Sequence, residues 1–78
     1  MITPRQCRTA RKLLGWDGVQ LATASKTATM TIHTFELGQS TPLARTRQKL
    51  RAAFESAGVE FFHDADGMRR VRLRKVVE

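Results

Sequence analysis

The chain has 78 residues, with 14 lysines and arginines against 7 aspartates and glutamates, and a net charge of +7. This length supports one small hydrophobic core and excludes a second domain, so we expect residues 1–78 to form a single domain. The hydrophobic content of 41% indicates a globular protein without a membrane-spanning segment. The excess of positive charge is typical of proteins that bind nucleic acids.

The sequence offers no residues for catalysis or for metal binding. It contains no Ser/His/Asp or paired-carboxylate arrangement and no Cys/His ligand spacing, so we expect no enzymatic activity, cofactor, metal site or small-molecule substrate. The single Cys7 cannot form an internal disulfide, and residues 1–5 lack the apolar stretch of a signal peptide. A cytoplasmic protein with Cys7 as a small buried residue is therefore predicted.

The positive charge is unevenly distributed along the chain. Residues 1–16 contain four basic residues and no acidic one, and residues 39–58 contain four basic residues and one acidic one. Residues 17–38, by contrast, hold two acidic residues and one lysine. The middle of the chain is thus the least basic part. A charged surface that only keeps the protein soluble is the alternative explanation of the excess.

Two capping signals predict the first two helices. The Thr-Pro-x-Gln sequence at Thr3 predicts a helix that begins at residue 4, and Gly15 predicts its end near residue 14. Trp16 follows directly and is expected to close one end of the core. The Asp-x-x-Gln sequence from Asp17 to Gln20 predicts a second helix of about two turns.

Two further helices are predicted after a short turn. Thr27 is expected to cap a third helix, which runs to about Leu37 and ends at Gly38. After a turn-rich segment, apolar residues keep a helical spacing from Leu43 to Gly58. This spacing predicts the longest helix of the chain.

The C-terminal part has the pattern of a β-hairpin. Residues 59–63 and 70–74 flank a turn-rich segment at 64–67, which predicts a hairpin and tail over residues 59–75. Val71 and Leu73 alternate with arginines, so one face is apolar and the other cationic. The strand is either an edge that arginines protect from aggregation or a dimer interface that spaces two DNA half-sites by about 34 Å.

The second and third predicted helices, with a short turn between them, have the arrangement of a helix-turn-helix. Within residues 3–57 the notable residues are Leu21-Ala22, Thr31-Ile32, Phe35-Glu36, Gly38 and Thr41-Pro42. These residues resemble the Cro/C1-type (XRE) family, and residues 58–74 resemble its short single-domain branch. The resemblance implies a mainly α fold, a Cro/C1-like domain of four to five helices with a C-terminal β-hairpin. It also implies a homodimer that binds double-stranded operator DNA and regulates transcription.

The resemblance further implies which residues contact DNA. The outward face of the third helix is expected to meet base edges, or a protein partner, through Thr29, Met30, His33, Thr34 and Leu37. Contacts with the DNA backbone are expected from Arg8, Arg11, Lys26, Thr27, Gln39, Ser40 and Arg45. The inward face, which should pack on the core, is formed by Ala28, Thr31, Ile32 and Phe35.

The outward face also favours a second hypothesis. It contains no Arg, Gln or Asn, the residues that form bidentate hydrogen bonds with bases. Gly18 and Lys26 stand where the family usually has Gln and Gly. An apolar face around Met30, His33 and Leu37 suits a protein partner. Small antiactivators of quorum sensing in conjugative elements are similar to this fold, so the alternative is an antiactivator that binds a protein activator. A component of a toxin–antitoxin or restriction-controller system is a third hypothesis.

Overall fold

The first helix, α1, begins and ends where the sequence predicts. The structure is a computed structural model that describes residues 2–74. In it α1 spans Pro4–Leu13, and Thr3 Oγ1 accepts a hydrogen bond from the Gln6 amide at 3.1 Å. The Gln6 side chain accepts one from the Thr3 amide at 3.0 Å, which completes the predicted capping box. Gly15 follows with a φ of 68°, a left-handed conformation that favours glycine.

The second helix, α2, also has the predicted cap. It spans Gly18–Ser25, and the Asp17 carboxylate accepts a hydrogen bond from the Gln20 amide at 2.8 Å. Lys26 then turns the chain with a φ of 56°, and its amide donates to the Ala22 carbonyl. This left-handed residue makes the turn to the next helix tight.

The third helix, α3, starts later than predicted. It spans Thr29–Glu36, and its N-cap is Ala28, whose side chain cannot accept a hydrogen bond. The prediction that Thr27 caps this helix is wrong. The left-handed turn at Lys26 takes up one more residue before the helix begins, and the Thr27 hydroxyl is paired with Ser25 Oγ at 2.7 Å instead.

The fourth helix, α4, is the longest, as predicted. It spans Ala44–Ser56 and buries Leu50 and Phe54. Leu43, which we expected on the apolar stripe, is instead the N-cap and is 65% exposed. The chain leaves the helix at Ala57 and turns at a left-handed Gly58.

Two antiparallel strands follow α4 and form the predicted hairpin. The strand β1 spans Val59–His63 and β2 spans Arg69–Leu73, with Phe61 opposite Val71. Thus β2 begins one residue earlier than predicted, and position 75 of the predicted tail lies outside the described residues. In the connecting loop, Asp64 Oδ1 accepts hydrogen bonds from two backbone amides of the loop, both at 2.9 Å. The Asp64 side chain therefore stabilises the turn between the two strands.

The core lies where the four helices meet the inner face of the hairpin. The ring of Phe54 is fully buried, with ring centroids 6.0 Å from Trp16 and 6.1 Å from Phe61. The buried apolar residues are Ile2, Cys7, Ala10, Leu21, Ile32, Phe35, Leu50, Phe54 and Val59. The described part of the chain is therefore a small, mainly helical domain of four helices and one hairpin. Within it, no helix has the length and apolar character needed to cross a membrane.

Candidate functional site

The helices α2 and α3 meet at their first residues. A methyl group added to Gly18, the first residue of α2, would lie 3.6 Å from Cγ2 of Thr29, the first residue of α3. The three residues 26–28 join the two helices. Since α3 buries Ile32 and Phe35 against the core, its opposite face is left in solvent.

The outward face of α3 is mostly exposed and largely apolar. Met30 is 69% exposed and Leu37 is 55% exposed. Thr29 and His33 are exposed as well, while Thr34 is half-buried. The face therefore combines two large apolar side chains with two polar groups that can each make single hydrogen bonds.

The hydroxyl of Thr34 is already used within the chain. Thr34 Oγ1 lies 3.1 Å from the carbonyl oxygen of Met30, to which it donates. It also accepts a hydrogen bond from Ser40 Oγ at 2.8 Å. These bonds hold the segment after α3 against the outward face, so Ser40 and Thr34 position each other.

The inward face of α3 differs from the predicted one at both ends. Ala28 is exposed, because it lies before the helix and not on its buried side. Glu36, at the other end, is 9% exposed and packs inside the domain. The burial of this acidic residue was not predicted from the sequence. Glu36 directly follows the buried Phe35 in the last turn of the helix.

Arg11 is the partner of Glu36. Its Nη2 and Nε donate to the two carboxylate oxygens at 2.9 and 3.0 Å, and its Nη1 donates to the Trp16 carbonyl at 3.1 Å. The hydrogen bond to Glu36 raises the pKa of Arg11, because it favours the charged guanidinium. We expected Arg11 to contact a DNA phosphate; its guanidinium instead binds a carboxylate of its own domain, which neutralises its charge.

Cys7 belongs to the same cluster. Its side chain is fully buried, and Sγ lies 3.3 Å from Glu36 Oε2, to which it donates. Burial raises the pKa of the Cys7 thiol, and the neighbouring carboxylate raises it further. The thiol is thus kept protonated and enclosed, which agrees with the structural role predicted for it.

The other predicted backbone contacts lie on α1, in the turn before α3, in the segment after it and on α4. Arg8, Lys26 and Arg45 are exposed, and none of them forms a salt bridge within residues 2–74. Gln39 is exposed after α3, whereas Thr27 is half-buried and its hydroxyl is shared with Ser25. The exposed cations are therefore available to an anionic partner. The same part of the chain contains no cluster of three or more side chains suited to a metal ion.

Comparison with known proteins identifies no family for this chain. The sequence matches no family model, and the search of curated proteins finds no match either.

Proposed function

We propose that this protein is a small transcriptional regulator that binds operator DNA as a dimer, with α3 in the major groove. The observations that support it are the exposed outward face of α3, which follows α2 after a tight turn, and the exposed cations Arg8, Lys26 and Arg45. This is the arrangement by which helix-turn-helix proteins place one helix against base edges and flanking residues against phosphates.

Most of the affinity for DNA would come from the phosphate backbone. Thr29 and His33 offer single hydrogen bonds to bases, and Met30 offers an apolar contact to a thymine methyl group. None of these contacts discriminates between bases as well as a bidentate pair of hydrogen bonds. Each phosphate neutralised by a cation contributes about −0.9 to the slope of log K against log salt, so binding should depend strongly on salt.

The N-terminus of α2 is a poor phosphate site in this protein. Its cap is the carboxylate of Asp17, which accepts a hydrogen bond from the Gln20 amide at 2.8 Å. A negative charge and an occupied amide both disfavour a phosphate there. The contacts with the backbone should therefore come mainly from the exposed side chains of Arg8, Lys26 and Arg45.

The edge of β2 is suited to form the dimer. The amide of Arg74 donates to the carbonyl of Gly58, and hydrogen-bonded pairs alternate along an antiparallel ladder. The backbone groups of Val71 and Leu73 consequently point away from β1, where a second copy of β2 can pair with them. Arg70 and Arg72 of β2 form salt bridges of 2.8 Å with Asp64 and Glu60 of the same hairpin. These pairs reduce the repulsion between two β2 strands.

Fluorescence anisotropy with DNA from upstream of the gene tests this proposal. Arg45→Gln should weaken binding for all sequences and lower the magnitude of the salt slope by about 1. Arg51→Gln is the matched control, because it removes the same charge from another side of α4, where Arg51 is bound to Glu55 at 3.5 Å. Absence of binding at low salt to both upstream and unrelated DNA would overturn the proposal.

The apolar outward face of α3 favours a second candidate function, an antiactivator that binds a transcriptional activator. Met30 and Leu37 expose 69% and 55% of their area, and such side chains suit docking to a protein. Co-purification with an activator encoded beside the gene tests it. The double variant Met30→Ala/Leu37→Ala should abolish the complex, and Arg45→Gln should preserve it. The reverse pattern would contradict this candidate.

A further inference from the structure

A cleft lined by arginines separates α1 from β2. It encloses about 290 Å³, and its lining residues are Arg5, Gln6, Thr9, Met68, Arg69, Arg70 and Val71. We propose that this cleft binds a phosphate group, carried either by a nucleic-acid backbone or by a small phosphorylated molecule. The site is additional to the helix-turn-helix, but Val71 also belongs to the β2 edge proposed for the dimer, so the inference is tested with phosphate itself and not through operator binding.

The cleft lies on the side of α1 that is turned away from α3. Arg5 and Thr9 are four residues apart and share one face of the helix. Arg11 follows Thr9 by two residues, which is a rotation of about 200° at 3.6 residues per turn. Since Arg11 binds Glu36 of α3, the cleft and α3 lie on opposite sides of α1. A ligand in the cleft therefore leaves the outward face of α3 accessible.

The arginines of the cleft are not neutralised by its walls. No acidic residue lines it, and Arg5 and Arg69 form no salt bridge within residues 2–74. Arg70 does have a partner, because its Nε donates to Asp64 Oδ2 at 2.8 Å. The Asp64 carboxylate is thus occupied by Arg70 and by two loop amides. Two uncompensated guanidinium groups remain, one from each wall.

The two walls are fixed relative to each other by Gln6. This side chain is 6% exposed, and its Nε2 donates to the Arg70 carbonyl at 3.3 Å. The bond joins α1 to β2 at the floor of the cleft. Arg5 and Arg69 are therefore carried by regular elements that the largely buried Gln6 side chain holds together.

A phosphate group suits these donors. Guanidinium groups present planar, forked donors that match the oxygens of a phosphate, and the Thr9 hydroxyl supplies a further donor at the rim. A phosphate monoester or diester has at least two free oxygens, so it can accept hydrogen bonds from both Arg5 and Arg69. No step of catalysis is involved; the cleft binds the anion through charge-assisted hydrogen bonds.

Backbone NMR of the isotope-labelled full chain tests the site directly. Inorganic phosphate is added in a chloride buffer at constant ionic strength, and we expect saturable shifts of the amides of Arg5, Thr9 and Arg69. The Arg5→Gln/Arg69→Gln double variant should raise the phosphate Kd by roughly tenfold, since it removes two charge-assisted hydrogen bonds. The control variant, Lys49→Gln, removes a positive charge from α4, outside the cleft, and should keep the wild-type Kd.

Three outcomes would overturn the site. They are shifts that do not saturate, shifts spread over all basic residues, and a Kd that the Arg5→Gln/Arg69→Gln change leaves unaltered. Each would show that phosphate meets only a general positive field. The spectra of the variants also report whether the fold is intact, so a folding defect is distinguished from loss of the ligand.

Two further titrations distinguish the sources of the phosphate. If a nucleic-acid backbone is the ligand, a short duplex of arbitrary sequence will shift the same amides, and Arg5→Gln/Arg69→Gln will lower the magnitude of the salt slope by about 1 to 2. If a small molecule is the ligand, adenosine monophosphate will shift them and the duplex will not. Both results support the phosphate site. Operator binding that survives Arg5→Gln/Arg69→Gln leaves the function of α3 untouched.

Discussion

Arg11 and Glu36 connect the last turn of α1 to the C-terminal end of α3 through two parallel hydrogen bonds of 2.9 and 3.0 Å. The side chains are 22% and 10% exposed, so the pair is largely removed from water. The same arginine donates to the Trp16 carbonyl at 3.1 Å. One guanidinium thus ties α3 and the end of α1 together, and it stabilises the orientation in which α3 turns its other face to solvent.

Breaking this pair should destabilise the domain. Glu36→Gln is expected to lower the free energy of unfolding by about 3 kcal/mol, because it leaves a mostly buried guanidinium without its counter-charge. Urea unfolding followed by Trp16 fluorescence measures the change. Glu55→Gln is the control, because Glu55 belongs to an exposed pair with Arg51 at 3.5 Å, and it should cost less than about 0.5 kcal/mol. Equal losses in the two variants would contradict the role given to Glu36.

The uncapped start of α3 offers a stabilising substitution. Ala28 is the N-cap, with φ −75° and ψ 140°, and lacks a side-chain acceptor. Ala28→Ser should raise the free energy of unfolding by about 0.5–1 kcal/mol by accepting a hydrogen bond from the first turn. Ala24→Ser, the same change inside α2, should instead destabilise by a few tenths of a kcal/mol, roughly the difference in helix propensity. Thermal unfolding compares the two, and a gain in both variants or in neither would refute the capping explanation.

The buried thiol of Cys7 should make the free energy of unfolding depend on pH in the alkaline range. Burial raises the pKa of its thiol, and the Glu36 carboxylate raises it further, above the ordinary range near 8.5. A group with a raised pKa in the folded state contributes its full stability below the pKa of the unfolded chain and loses that contribution as pH rises above it. Between about pH 8 and pH 10, the wild type should therefore lose more stability than Cys7→Ala. Denaturant unfolding at several pH values measures both slopes, and parallel slopes would argue against a buried protonated thiol.

The exposed residues of α3 should matter little for folding. Met30→Ala and Leu37→Ala are each expected to change the free energy of unfolding by less than about 0.5 kcal/mol, because these side chains are mostly in solvent. Phe35→Ala, on the buried side of the same helix, should cost about 3–5 kcal/mol. Circular dichroism during thermal unfolding compares the variants. A large loss in Met30→Ala would mean that this side chain packs within the domain and is not available to a partner.

Local signals in the sequence predicted most of the element boundaries. The capping boxes at Thr3 and Asp17 depend on residues three positions apart, and Gly15 acts through its own backbone freedom. Both partners of such an interaction lie within a few positions of each other, so they can be recognised in the sequence. The one incorrect cap, Thr27, failed because the neighbouring Lys26 adopts a left-handed conformation that is uncommon for lysine.

Tertiary contacts determine which residues come together in the candidate sites. The sequence by itself determined a small basic helical domain with a hairpin and an outward face on α3, because composition, capping and periodicity are local properties. Only the tertiary structure decided that Arg11 binds Glu36, and that Arg5 and Arg69 form the two walls of one cleft. The reason is physical: the charge of a side chain is known from its sequence, but its partner is whichever group the packing of distant segments brings within a few ångströms.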